Sequence, residues 1–257
     1  MPVKGLPAPI EVFELLGAGQ SRTRLQAAAA RGLTRFVGRQ AELETLRRAL
    51  ELASRGHGQI VAVVGEPGVG KSRLFWELTH SHRTDGWLVL ESSSVSYGRA
   101  TAYLPVIDLL KSYCAIEGRD DAQRIREKVI GKLLGLDRAL EPLLPPLLAL
   151  LDVPAEDPAW EALDPPQRRR RTLDALRRLF VRESQRQPLM LVNYRPEYRH
   201  GWGSKTYYAQ LRIDPLPPES AGELLQALLG GDEALEPLRR LLLERTGGNP
   251  FFLEESV

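Results

Sequence analysis

Residues 65 to 72 read Gly65-Glu66-Pro67-Gly68-Val69-Gly70-Lys71-Ser72, the spacing G-x-x-x-x-G-K-S. Glycines at these positions let a backbone curl so that successive N–H groups face one anion, and a helix starting at Lys71 adds the positive end of its dipole. Lys71 would then reach the β- and γ-phosphates of a nucleoside triphosphate, and the Ser72 hydroxyl would ligate Mg²⁺. Arg73 follows in the same first turn. Such a loop works only between a strand and a helix. Ile60-Val61-Ala62-Val63-Val64 before it is an apolar β-type run, and Leu74, Phe75 and Leu78 after it fall at helical spacing. The residues therefore point to a phosphate-binding loop for ATP or ADP.

Other chemistries find less support. His80 and His82 stand two apart on an expected helix, where they face different directions, so they do not form a metal site. The single Cys114 excludes an internal disulfide and fits a reducing compartment. A formal net charge of +2 is too small to argue for a nucleic-acid partner. Arg168-Arg169-Arg170-Arg171, with Arg177 and Arg178, spread around a helix and read as a solvated face rather than a nucleic-acid surface. Apolar residues at 43% and charged residues at 26% are ordinary for a globular chain. Met1 to Pro9 is interrupted by prolines and glycine before any signal-peptide core develops, and Leu140 to Val153 is too short and proline-broken to span a bilayer. The expectation is a soluble, cytoplasmic chain without a membrane partner.

The elements that must hold the loop are readable in outline. Alternating apolar residues between Val3 and Leu15 suggest a short strand, and Ser21 to Arg31 a helix or linker. Leu43, Leu46, Leu50 and Ala53 mark an amphipathic helix that Gly56 and Gly58 close. Trp87 to Leu90 reads as a second strand ending at Glu91, and Tyr103 to Leu151 as helix chopped by proline. Asp164-Pro165-Pro166 starts a helix through Leu173, Leu176 and Leu179. Leu189 to Val192 is a third strand, and 218–257 is helical, with Leu224, Leu225 and Leu228, then Leu238, Leu241 and Leu242, as its apolar positions. Strands alternating with helices predict an α/β fold: a parallel sheet with helices on both faces and the loop at the carboxyl ends of its strands.

Phe36-Val37-Gly38-Arg39 before a helix, the 65–72 loop, Arg195 after a late strand and Gly248-Asn249-Pro250 in a helical appendage come in a recognisable order. Together they resemble the AAA+/STAND-type ATPase modules of bacterial signalling proteins, particularly those downstream of a class III adenylate/guanylate cyclase domain and upstream of tetratricopeptide repeats. The resemblance implies that Val37, Gly38 and Arg39 lie against the adenine, that Arg195 senses the γ-phosphate, and that Pro250 brings the helical appendage to the base. It also implies that 1–33 are a cyclase-domain tail and linker inside a longer architecture, that 34–215 form the nucleotide-binding domain, and that 216–257 are a truncated helical lid.

One departure from that pattern bears on turnover. Hydrolytic relatives end a strand in the acidic Walker B residues, which hold Mg²⁺ and orient water. Here Leu189-Met190-Leu191-Val192 passes directly into Asn193-Tyr194-Arg195, as though a strand, a helix and the start of the next strand had been removed together. The expected sheet is therefore incomplete, and no catalytic residue is assigned. Asp152 reads as a helix end and Glu91 as the end of another strand, so both are weak substitutes. The leading expectation is an ATP-binding regulatory module with impaired hydrolysis; the alternatives are an active ATPase with a substitute acid and a nucleic-acid-binding module.

Overall fold

A computed structural model of the chain describes residues 24–93, 103–194 and 205–257. The expected strand before Leu15 and the candidate Arg195 lie outside them. The chain divides into two compact units, one of Arg39–Pro215 and one that joins the chain up to Gly38 to Leu216–Val257.

The elements run α1 (Arg24–Arg31), α2 (Gln40–Ser54), β1 (Ile60–Val64), α3 (Lys71–Thr79), β2 (Leu88–Ser93), α4 (Leu104–Tyr113), α5 (Ala122–Leu136), α6 (Leu144–Leu150), α7 (Pro158–Glu161), α8 (Pro165–Ser184), β3 (Leu189–Tyr194), β4 (Tyr208–Arg212), α9 (Pro218–Leu229), α10 (Glu236–Thr246) and α11 (Pro250–Glu255). The result is a mixed α/β fold with short parallel strand pairs, consistent with a P-loop nucleotide-binding architecture. Among the described residues the strands do not form one sheet. β1 pairs with β4, Ile60 opposite Tyr208 through Val64 opposite Arg212, and β2 pairs with β3, Leu88 opposite Leu189 through Ser93 opposite Tyr194. Strands buried on both faces of a parallel sheet are normally covered throughout. Here Val64 is 37% and Leu191 45% exposed.

The larger apolar core lies where α4, α5, α6 and α8 pack beside β2 and β3, around Leu90, Leu110, Val129, Leu133, Leu147 and Leu179. α8 starts as its sequence dictates: the Asp164 carboxylate accepts from the Gln167 N–H at 2.7 Å, and Gln167 reaches back to the Asp164 N–H, with Pro165 in the first turn. Its buried stripe is Thr172, Ala175, Leu176, Leu179 and Glu183. Leu173, expected on that face, is 48% exposed, because it sits about 100° around the helix from Thr172. Glu183 is 1% exposed and accepts hydrogen bonds from the Tyr113 hydroxyl and from Gln187 Nε2, the latter at 2.6 Å, tying α4 to the end of α8. Burial, reinforced by the Glu183 carboxylate, pushes the Tyr113 phenol well above its ordinary range.

In the second unit, Val37, Leu216, Ala221, Leu224, Leu225 and Leu253 form a smaller cluster. Of the apolar positions expected in 218–257, Leu224 and Leu225 lie in this core. Leu238 and Leu241 of α10 do not, and are 41% and 44% exposed.

Candidate phosphate-binding site

β1 ends at Val64 and the chain turns through 65–70 into α3, the strand–loop–helix order that the motif requires. Two backbone reversals make the turn. Gly68 has φ +85° and Gly70 φ +97°, in the left-handed region where a Cβ costs about 1–2 kcal/mol. Gly70 is the N-cap of α3 and offers no side chain to the first turn, so the N–H groups of Lys71 and Ser72 are left for an outside acceptor. The Gly70 carbonyl takes the first helical bond, from Leu74 N–H at 2.9 Å. Leu74 and Val69, both fully buried, anchor the helix and the loop apex.

Gly65 is required for a different reason. A Cβ there would stand 2.3 Å from the Ile213 carbonyl oxygen and 3.1 Å from Val69 Cγ2. The Ile213 N–H donates to the Val64 carbonyl at 2.7 Å, which continues the β1–β4 ladder past its last strand pair and presses that backbone onto the loop. β4 was missing from the sequence reading. Tyr208-Ala209-Gln210-Leu211-Arg212 has no β-branched residue and leaves Ala209, Gln210 and Arg212 exposed, so neither composition nor alternation marks it.

Lys71 extends over the loop and donates to the carbonyls of Gly65 at 2.8 Å and Glu66 at 2.7 Å. Burial pulls its ammonium below the ordinary lysine value. Glu66 and Pro67 are exposed at the rim, and Ser72 is exposed in the first turn of α3. Arg73 Nε pairs with Glu77 Oε1 one turn on, at 2.7 Å. Beside the loop, Val64, Gly65, Glu66, Gln210, Arg212 and Ile213 border a cavity of about 270 Å³ that Asp214 and Pro215 complete. Arg212, opposite Val64 at the carboxyl end of β4, is a cation at this mouth that sequence reasoning did not single out.

The site fits a phosphate chain on these observations: two left-handed glycines, a helix start without a capping side chain, and a lysine that donates to the Gly65 and Glu66 carbonyls. For Mg²⁺ the loop offers the Ser72 hydroxyl. Among the described residues no group of three His, Cys, Asp or Glu side chains converges to hold a metal. β3 closes on Val192, Asn193 and Tyr194, without a carboxylate. Glu91 sits inside β2 opposite Val192, and Asp152 is exposed beyond α6 at φ +61°.

The remaining candidates divide between the units. Arg39 belongs with the loop, in the unit that begins with it. Val37, Gly38 and Pro250 belong to the other, where Val37 and Gly38 lie against Leu216. Val37 packs in its cluster, and Gly38, at φ +66°, leaves no room for a Cβ, which would meet Ser220 at 2.6 Å and Leu216 at 3.0 Å. The Gly248 carbonyl accepts from the Leu216 N–H at 2.9 Å, and Pro250 opens α11 behind its Asn249 cap. On α8, Arg168 to Arg171 are exposed, and Arg168 donates to the Glu161 carbonyl at 2.7 Å. Among the described residues no helix is long and apolar enough to cross a membrane.

The family model for the AAA ATPase domain matches residues 35–193, more than half of the chain, and the chain belongs to that family. A comparison with curated proteins finds no match.

Proposed function

From membership of the AAA ATPase domain family, which implies ATP binding, we propose that this chain is an ATP-binding regulatory module of a bacterial signalling protein whose hydrolysis is impaired. The observation that carries the binding half is the loop itself, with left-handed Gly68 and Gly70 leading into the uncapped start of α3 under Lys71. Backbone N–H groups of Gly70 to Ser72 and the Lys71 ammonium would hold the phosphates, and Ser72 would hold Mg²⁺. Bound with ATP, Mg²⁺ neutralises phosphate charge. Arg195 is assigned the γ-phosphate by motif order, and the helices of 216–257 the part of the family's appendage. The cyclase and tetratricopeptide-repeat neighbours and a cytoplasmic location complete this reading.

The impairment rests on the strand end Val192-Asn193-Tyr194. In-line attack needs a carboxylate to place metal and water, and that strand carries none. A second reading, an ATPase with a substitute acid, is favoured by one observation: Glu91 stands opposite Val192 on the neighbouring strand.

Equilibrium titration with ATP, with and without Mg²⁺, followed by a single-turnover assay, tests both halves. Lys71→Ala should weaken ATP binding by about 2–3 kcal/mol, the loss of a charge-assisted hydrogen bond. Wild-type affinity in that variant refutes the site. Sustained Mg²⁺-dependent hydrolysis that Lys71→Ala abolishes refutes the impairment and directs attention to Glu91.

A further inference from the structure

Arg39 is 5% exposed, and its guanidinium is held on three sides. Nη2 donates to the Val69 carbonyl at 3.1 Å and to the Asp214 carbonyl at 2.6 Å, while Nη1 pairs with Glu42 Oε1 at 3.0 Å. Val69 is the apex of the phosphate loop, fully buried between the two left-handed glycines. In a trans peptide the C=O and the following N–H point in opposite directions. Fixing the Val69 carbonyl on Arg39 therefore aims the Gly70 N–H the other way, away from the guanidinium. The second carbonyl is equally placed: Asp214 follows Ile213, whose own carbonyl crowds Gly65 at the loop entrance. One buried cation thus joins the apex of the loop to the segment that braces its base, and Glu42 balances its charge.

We infer that Arg39 is a positioning residue for the phosphate loop, holding the Val69 peptide in the orientation that presents the Gly70 N–H to phosphate. The inference rests on the nucleotide reading and departs from the adenine contact that family resemblance implies for the same residue. The planar guanidinium holds both carbonyls through Nη2 while Nη1 keeps Glu42, a fixed arrangement that a lysine ammonium on its flexible stem does not reproduce. With Nη1 on Glu42 and Nη2 on two loop-side carbonyls, Arg39 would act on the phosphates through the Val69 peptide.

The test uses Arg39→Gln and Arg39→Lys in the full chain, with ATP and inorganic tripolyphosphate each competed against a fluorescent ATP analogue, and amide hydrogen exchange measured without nucleotide. Arg39→Gln should weaken ATP and tripolyphosphate alike, by about tenfold, with Arg39→Lys between it and the wild type. Exchange should quicken in 65–72 while α5 and α8 keep their protection. Loss of ATP affinity with tripolyphosphate unchanged overturns the inference in favour of a base contact. Faster exchange throughout α5 and α8 overturns it in favour of a merely structural role, and unchanged binding with unchanged loop exchange overturns it alone. A wild-type chain that binds neither ligand overturns this inference and the nucleotide reading together.

Discussion

Gly65→Ala separates the two jobs that a glycine can have in a phosphate loop. Gly65 has no left-handed φ, so an alanine there meets no conformational penalty of its own. Its Cβ would instead lie 2.3 Å from the Ile213 carbonyl oxygen, against an ordinary carbon–oxygen approach of about 3.3 Å. About 1 Å of backbone movement is needed, and the obstructing atom is not a flexible side-chain tip. Ile213 is held by its N–H to Val64, and the next carbonyl by Arg39. Overpacking of this kind costs about 1–3 kcal/mol. Weakening the Ile213–Val64 hydrogen bond adds about 1 kcal/mol, for a total of about 2–4 kcal/mol. With a urea m-value of about 2 kcal/mol/M, the unfolding midpoint should fall by about 1–2 M in the absence of nucleotide. Gly58→Ala, where nothing lies within 4 Å of the new Cβ, is the control and should leave the midpoint in place. A Gly65→Ala chain with the wild-type midpoint would show that the glycine serves phosphate approach alone and that β4 does not press on the loop.

Two further outcomes follow from burial and from the strand edges. Burial pushes the Cys114 thiol up to about 12 from 9.0, with the Lys132 ammonium opposing it. The unfolded thiol ionises first, so this contribution to stability is complete below about pH 9 and is lost as pH rises to about 12. Native protein should resist thiol reagents at neutral pH and react only as it unfolds; rapid modification of the folded chain would refute the burial. Among the described residues β1 and β3 are each paired on one side only, and Val64 and Leu191 are exposed on them. Such edges favour association, so sedimentation should show concentration-dependent self-association that Leu191→Lys reduces. A strictly monomeric wild type across that range contradicts it.

The features legible in the sequence were those whose cause is local. The loop, the Asp164 cap and the helix it starts are written within a few consecutive residues, and the strand at 60–64 and the start of β3 at 189–192 announce themselves by apolar runs. β4 was not legible, because it exists through its partner: its backbone pairs with β1, while its side chains leave no alternating pattern. Leu238 and Leu241 had helical spacing but stay partly exposed among the described residues, which spacing alone does not report. Arg39 could be found by motif but not understood by it. Its spacing from Val69 and Asp214, thirty and 175 residues along the chain, carries no signal of a shared hydrogen-bonding centre.

Under the proposed function, a related contrast explains how binding and turnover would part company in this chain. Gripping phosphate draws on backbone N–H groups, one lysine and the bracing of β1 by β4, all of which the chain retains in a contiguous loop and one strand pair. Turnover draws on a carboxylate that a separate strand must deliver to the metal and the attacking water. On the proposed reading the missing acid leaves these contacts in place, since the Lys71 bonds run to Gly65 and Glu66 and the Arg39 bonds to Val69 and Asp214. Under the proposed function, Lys71 and Arg39 serve affinity, which the loop and the β1–β4 pair support, while turnover would depend on an acid from a different strand.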